Sequence, residues 1–323
     1  MKNALIKLSI QRIVRDLIIL AVVFFALSLV LGCSKSPDQR PLSFSGVATQ
    51  YGELQNPVYD NVAKSETSLN LINGRVVMFF DIYDPSISYN NLGRVDFFNG
   101  GVQTVMRNMT FEYTMSANGA LYNFAQLGAD LFLWKSVDDG FTWTKINGGQ
   151  PVVTHSVDPT SPWYTLWNPA VDVDENGTWH LLLECATNAG TPDQNGVGLC
   201  YSTATMTGDS ISFDAGKIAA QVIPGGGNPY IKAIPGKGLL VIHGQLPPGG
   251  FWYVGATTFS GGTWKRHDDK FQIGRANTHV CDPHAIDLPG GGSLITMSFD
   301  QSAVYAVQGA LSLTDLFNQL EAQ

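Results

Sequence analysis

From residue 44 onward, apolar residues come in short runs broken by Gly, Asn and Asp, and most of the chain shows no helical period. Three segments share one pattern: WNPAVDVDENGTWHLLLECA from Trp167, GNPYIKAIPGKGLLVIHGQ from Gly227 and CDPHAIDLPGGGSLITMSFDQ from Cys281. Each reads as a polar residue, a proline, an apolar strand, a glycine turn and a second apolar strand. RNMTFEYTMSANGALYNFAQ from Arg107 and SETSLNLINGRVVMFFDIYD from Ser65 fit without the proline. Glu66, Asn108, Asn168, Asn228 and Asp282 are then equivalent positions, 42 to 60 residues apart. Third strands follow at LFLWKS from Leu131, GLCYST from Gly198, FWYVGAT from Phe251 and AVYAVQ from Ala303. Short, evenly spaced strands predict an all-β protein. Repeats of this length with three or four strands are blades of a β-propeller, and five fit, so the predicted fold is a five-bladed β-propeller. The last repeat offers three strands, and residues 44–51 are predicted to supply its fourth. Beyond it, Ser312 and Asp315 match a capping box, with Leu313, Leu316, Phe317 and Leu320 on one face of a short helix.

Residues 1–32 have a different character. Lys2, Lys7, Arg12 and Arg15 precede a charge-free stretch at 17–31, and the segment ends in Val30-Leu31-Gly32-Cys33. The stretch is short for a membrane span of about 20 residues. A basic start, an apolar core and a small residue before the cut make an export signal, with a retained signal-anchor helix as the other reading. Val-Leu-Gly-Cys also resembles the bacterial lipoprotein signal, which implies that Cys33 becomes the lipidated first residue and holds the protein to a membrane. Ser34 after it, by similarity to enterobacterial sorting, implies the outer membrane. The expected organisation is a signal peptide at 1–32, a lipidated tether at 33–43 and the propeller at 44–323.

Composition removes several classes. With 27 acidic and 19 basic side chains the net charge is −8, and loss of the basic leader makes the remainder more acidic. Such a surface repels phosphate backbones, so nucleic acid is not an expected partner. No CxxC, HExxH, GxSxG or GxxxxGK[ST] occurs, which excludes the usual redox, zincin, hydrolase-elbow and P-loop sites. Of Cys185, Cys200 and Cys281, the first two fall on neighbouring predicted strands; a disulfide between them and two free thiols both stay open. Asp172, Asp174 and Glu175 read as a solvated turn.

SVDDGFTW at 136–143 matches the Asp-box pattern S-x-D-x-G-x-T-W, and SGGTWKR from Ser260 looks like a decayed copy. In that box the Asp, here Asp138, caps a hairpin between outer strands. The chain therefore resembles the propeller superfamily that holds the five-bladed glycoside hydrolases of families 43, 62, 32 and 117 and the six-bladed sialidases. The segment from Cys281 is similar to the last blade of family 43, which implies His284 beside a channel water or metal, calcium being one such ion. Family 43 places Asp on the first blade, Asp on the second and Glu at the start of the third; here those places hold Glu66, Arg107-Asn108 and Asn168. A sialidase needs three arginines and usually an early Arg-Ile-Pro, a tripeptide the sequence lacks.

In a propeller, residues at the starts of inner strands converge at one face. That ring is Glu66, Arg107 with Asn108, Asn168, Asn228, and Asp282 with His284. The ends of the second strands bring Asp81, Gln126, Glu184, His243 and Asp300 to the same face. Trp163, Tyr164 and Trp167 are placed to stack on a sugar ring. Glycoside hydrolysis needs two carboxyl groups, an acid and a base or nucleophile. Glu66 and Asp282, on blades that meet at ring closure, are the expected pair, with Glu184 a third candidate as acid because Leu181, Leu182 and Leu183 precede it. Arg107 is expected to keep one carboxylate ionised. Arg107, Asn108, Trp163, Trp167, Asn168, Asn228, His243 and Asp300 are the expected substrate contacts. Three readings follow: a lipid-anchored glycoside hydrolase acting on a poly- or oligosaccharide, a non-catalytic carbohydrate-binding or assembly propeller, and a sialidase.

Overall fold

The computed structural model describes residues 41–54, 64–83, 90–98, 100–128, 130–154, 165–186, 197–213, 221–247, 250–299 and 303–322. Cys33 and the leader, His155, Trp163, Tyr164 and Asp300 lie outside the described residues.

The fold is the expected five-bladed β-propeller. Blade 1 is Lys64–Ile72, Arg75–Tyr83 and Asn90–Asp96, all antiparallel. Its fourth strand is the first half of the long strand Gln103–Ala117, whose second half is the inner strand of blade 2. Blade 2 continues through Ala120–Leu127, Asp130–Ser136 and the short Thr144–Lys145. Blade 3 is Thr165–Val173, Thr178–Ala186, Val197–Thr205 and Gln221–Pro224. Blade 4 runs Gly226–Ile234, Gly238–Gln245, Tyr253–Ser260 and Phe271–Gly274, and blade 5 Val280–Asp287, Ser293–Phe299 and Ala303–Gly309. The five inner strands neighbour one another in ring order, and that of blade 5 closes on that of blade 1.

Closure differs from the expectation in one respect. Tyr51–Glu53 is the fourth strand of blade 5, paired with Ala303–Gly309, but Ser43–Gly46 pairs with Phe271–Gly274 of blade 4. The N-terminal segment thus clips two blades instead of extending one. A single 3-10 turn, Val47–Gln50, moves the chain between them. Tyr51 is buried, its hydroxyl 2.9 Å from Ser293 Oγ and its ring edge-on to Phe271.

Second strands are buried on both faces: in blade 1, Val76 to Phe80 are all buried. Both faces of such a strand pack against neighbouring blades, so alternation disappears. Asn73-Gly74 and Asn118-Gly119 turn the first hairpins of blades 1 and 2, and all four residues have positive φ, as a two-residue type I′ turn requires. Between blades 2 and 3, Trp179 is wedged against Tyr122 and Phe124, at centroid distances of 5.2 and 6.2 Å.

At 136–143 the loop joins the third and fourth strands of blade 2. Asp138 accepts the Thr142 N–H at 2.9 Å and the Thr142 hydroxyl at 2.7 Å, Ser136 Oγ accepts the Gly140 N–H, and Trp143 Nε1 donates to the Gly140 carbonyl. These donors hold the Asp138 carboxyl down at about 2 and occupy it in the turn. The helix Leu313–Ala322 starts from Ser312, whose Oγ accepts the Asp315 N–H, and buries Leu313, Leu316, Phe317 and Leu320.

Candidate active site

Each inner strand carries one non-glycine residue in the left-handed region near its start: Glu66 (φ 53°), Phe111 (φ 51°), Asn168 (φ 44°), Asn228 (φ 45°) and Asp282 (φ 49°). At each, strand register shifts, the mark of a β-bulge. Bulges re-aim side chains, and here the five point a ring of residues at the channel. Asn and Asp tolerate this backbone, whereas Glu and Phe do so at a cost of order 1–3 kcal/mol. Tertiary contacts in the ring must hold them.

This ring corrects the sequence alignment in blade 2. Asn108 also has positive φ, 62°, but its bulge interrupts pairing with blade 1, so Phe111 is the equivalent of Glu66 and the alignment slips by three residues. Arg107 and Asn108 are exposed on the strand that crosses from blade 1 to blade 2. Neither lines the pit, and Arg107 contributes to no carboxylate's ionisation there. In its place the structure brings in Glu112, which sequence reasoning missed. The signal was present: Phe111 stands seven residues before Asn118-Gly119, as Glu66 does before Asn73-Gly74. Counting back from the turn would have found it.

Glu66, Glu112, Asn168, Asn228 and Asp282 line a pit of about 10 Å³, room for one water. Glu112 Oε1 and Asn168 Oδ1 are buried at this ring without a hydrogen-bond partner among the described residues. Carboxylates of the second strands reach across blade junctions. Asp81 Oδ2 accepts the Phe111 N–H at 3.1 Å and Asn90 Nδ2 at 2.9 Å. Glu184 Oε2 accepts the Asn228 N–H and Asn168 Nδ2, both at 3.1 Å. Gln126 Nε2 donates to the Leu166 carbonyl. Asp282 takes Asn228 Nδ2, Ser298 Oγ and the Glu66 N–H. Every junction therefore has a polar clasp, and Asn168, Asn228, Glu184 and Asp282 are brought together as expected.

Among the described residues no Lys or Arg lines the pit, and burial pushes its carboxyls toward the protonated form. Asp81 and Glu184 are raised to about 7. Glu112 is held well above the carboxylate range by burial and by Asp81. Glu66 is likewise held well above the carboxylate range: burial acts first, then Asp282, Asp81, Glu184 and Glu112. It nevertheless keeps some surface at the pit. Asp282 is also raised by burial, but hydrogen bonds from Ser298, Cys281 and the Glu66 N–H oppose the shift. Carboxyls gathered in one buried ring cannot all ionise, so the ring favours protonated acids.

Two further expectations, His243 as a contact and Asp172 in a solvated turn, are overturned. His243 is fully buried in blade 4, with Nδ1 at 2.9 Å from the Gly244 carbonyl and Nε2 at 2.9 Å from Thr257 Oγ1. Both nitrogens are spent and burial lowers it to about 4, so it is scaffold and touches no substrate. Asp172 is not solvated: it is buried, accepts the Ala233 N–H at 2.8 Å and pairs with Lys232 at 3.3 Å. Trp167 is half-buried with its ring 6.5 Å from Phe111, a partly open aromatic pair beside the pit.

His284 does not fit a metal ligand. Its Nδ1 accepts the Leu69 N–H at 3.1 Å, so the proton of the neutral ring sits on Nε2, a donor with no lone pair to give. Among the described residues no group of three or more His, Cys, Asp or Glu side chains is arranged to hold a metal ion.

Solved structures with this architecture are numerous. The α-L-arabinofuranosidase PaAbf62A from Podospora anserina, solved with cellotriose, matches at TM-score 0.59 and 11% identity, over 80% of this chain and 96% of its own. The catalytic domain of the Coprinopsis cinerea GH62 α-L-arabinofuranosidase matches at 0.55 and 12%, over 84% and 99%. A thermostable family-43 glycoside hydrolase gives 0.54 and 8%, over 80% and 93%. This chain shares their five-bladed fold. No protein-family model matches it, and no curated protein does. At these identities the likeness concerns the backbone, and the chemistry rests on the ring of side chains.

Proposed function

We propose that the propeller is a glycoside hydrolase acting at the mouth of the central pit, with Glu66 as general acid and Asp282 as general base. The observation that carries this reading is the pairing at ring closure of Glu66, which burial holds well above the carboxylate range, with Asp282, whose upward shift is opposed by hydrogen bonds from Ser298, Cys281 and the Glu66 N–H. Glycosidic cleavage needs that division: one group protonates the leaving oxygen while the other activates water or attacks carbon. Glu184 is the poorer acid, because it is 1% exposed and its Oε2 is engaged in the blade 3 to blade 4 clasp. The substrate class is a poly- or oligosaccharide, supported by the arabinofuranosidase and family-43 neighbours.

A second reading, a propeller that binds glycans or partners without turnover, is favoured by the small pit and by the use of its carboxylates as clasps. The sialidase reading finds no support: among the described residues Arg75, Arg94, Arg107, Arg266 and Arg275 all lie outside the pit lining. Reducing-sugar release from arabinoxylan, fructan and agar oligosaccharides tests the first reading. Turnover that falls by about 10²–10⁴ in Glu66→Gln and in Asp282→Asn, both still folded, supports it. Saturable binding with no turnover in the unmodified protein supports the second.

The reading extends to location. Export to an oxidising compartment, and lipid attachment through Cys33 to the outer membrane, are supported by the leader and by the Cys185–Cys200 disulfide that joins neighbouring strands of blade 3. Among the described residues no helix is long and apolar enough to cross a membrane.

A further inference from the structure

Below the pit, toward the far ends of the same five strands, the channel opens into a second cavity of about 280 Å³ lined by Asn70, Ser116, Asp172, Tyr230, Lys232 and His284 among others. His284 is only 4% exposed. With Nδ1 taken by the Leu69 N–H, the remaining N–H at Nε2 has no partner among the described residues. The Tyr113 and Tyr230 rings flank it, at centroid distances of 5.2 and 4.6 Å. A cavity of this size holds several waters or one small molecule.

We propose that this cavity binds a single neutral sugar ring, at a site separate from the pit. Size selects one ring: pockets for drug-sized ligands begin at roughly 300 Å³. Charge selects a neutral one. Lys232 is answered by Asp172 at 3.3 Å, and Asp287 by the Leu313 N–H at 2.7 Å, so an ionic ligand would displace existing partners. Chemistry selects a polyol. Its hydroxyls both accept, as Lys232 Nζ offers, and donate, as the Asp172 oxygens allow, while its C–H face suits the tyrosine rings. This inference does not depend on the pit being catalytic.

The test is calorimetric titration of the full chain with D-xylose, L-arabinose and D-galactose, with sodium sulfate as the ionic probe. Ser116 and Leu71, exposed side chains at the cavity rim, are replaced by tryptophan to block it without disturbing buried packing. The expected result is saturable binding of at least one sugar, weakened about tenfold or more in Ser116→Trp and Leu71→Trp and preserved in Glu66→Gln. Loss in Glu66→Gln with both tryptophan variants unaffected would place the sugar in the pit and overturn the proposal. Displacement of sugar by sulfate would make the site ionic, and no saturation by any sugar up to about 50 mM would leave it a water cavity; either result also overturns it.

Discussion

Oε2 of Glu184, at the end of a second strand in blade 3, accepts the backbone N–H of Asn228, the bulge residue of blade 4, at 3.1 Å. The same oxygen takes Asn168 Nδ2 at 3.1 Å. One carboxyl oxygen thus ties two bulges together, and the group serves the ring before it serves any reaction.

That double use separates stability from chemistry at this position. In Glu184→Gln the amide oxygen can accept both donors, so the unfolding midpoint should stay near that of the unmodified protein. Glu184→Ala strands two buried donors at about 1–3 kcal/mol each and should lower the midpoint clearly. Turnover in Glu184→Gln should be retained, because Glu66 is the proposed acid. A stable Glu184→Gln protein with turnover reduced by about 10² or more would move the acid to Glu184.

The uncompensated carboxyls set the pH dependence of stability. Asp81 and Glu184 titrate near 7 in the fold and near 4 in an unfolded chain; Glu66 and Glu112 are raised in the same direction. Between those values the native state binds more protons than the unfolded one. Their stabilisation is therefore complete at the acidic end and is lost as pH rises through about 7, by up to about 1.4 kcal/mol per pH unit for each group. Asp138, held at about 2, acts oppositely: its contribution is present above the usual carboxylate range and lost as pH falls toward 2. Urea unfolding should give a higher midpoint at pH 5 than at pH 8. Glu112→Gln, which removes a buried ionisable group but keeps the Thr114 and Asn123 contacts within reach, should narrow the gap. A midpoint that climbs steadily to pH 8 would show that these carboxyls are ionised in the fold.

Much of the architecture could be read before any coordinates. The Asn-Pro and Asp-Pro repeats announced three inner strands because bulge chemistry needs residues that tolerate positive φ, and Asn168, Asn228 and Asp282 are of that type. Blade 2 misled because Phe111 occupies the same backbone state, which side-chain preference does not foretell; Arg107 and Asn108 were drawn into the ring and Glu112 was overlooked. His243 misled differently: its place at a second-strand end was foreseen, but whether its nitrogens faced the funnel or Thr257 depended on packing between strands. The N-terminal strand split for a further reason. Both Ser43–Gly46 and Tyr51–Glu53 fit an edge, and only the turn at Val47–Gln50 decides which edge each meets.

Ring closure rests on that turn. Gly46 has φ 59°, and a Cβ there would lie 2.0 Å from the Lys270 carbonyl oxygen, the acceptor of the Val47 N–H. Gly46→Ala should unclip the segment from blade 4. Tyr51→Ala, which removes a buried ring and its bond to Ser293, should cost about 3–5 kcal/mol. Differential scanning calorimetry should show both variants melting several degrees lower. Unchanged transitions in both would mean that the N-terminal strands decorate the propeller without closing it.

The attachment proposal turns on Cys33, and its chemistry gives a sharp test. A basic start, an uncharged core at 17–31 and Val30-Leu31-Gly32 before the cysteine favour cleavage before Cys33 with acylation of its thiol. One acyl chain holds a protein to a bilayer only reversibly, whereas two or more hold it stably, so a lipidated Cys33 should keep the protein in the membrane fraction through high-salt washing. Cys33→Ser removes the thiol that takes the lipid. Metabolic labelling with a radioactive fatty acid should mark the unmodified protein and not the variant, and the unmodified protein should sediment with outer-membrane markers. Peptide mapping of the exported form without reductant should recover Cys185 linked to Cys200, as transit through an oxidising compartment requires. A Cys33→Ser protein that is cleaved, unlabelled and still as firmly membrane-bound as the original would show that something other than lipid on Cys33 holds it there.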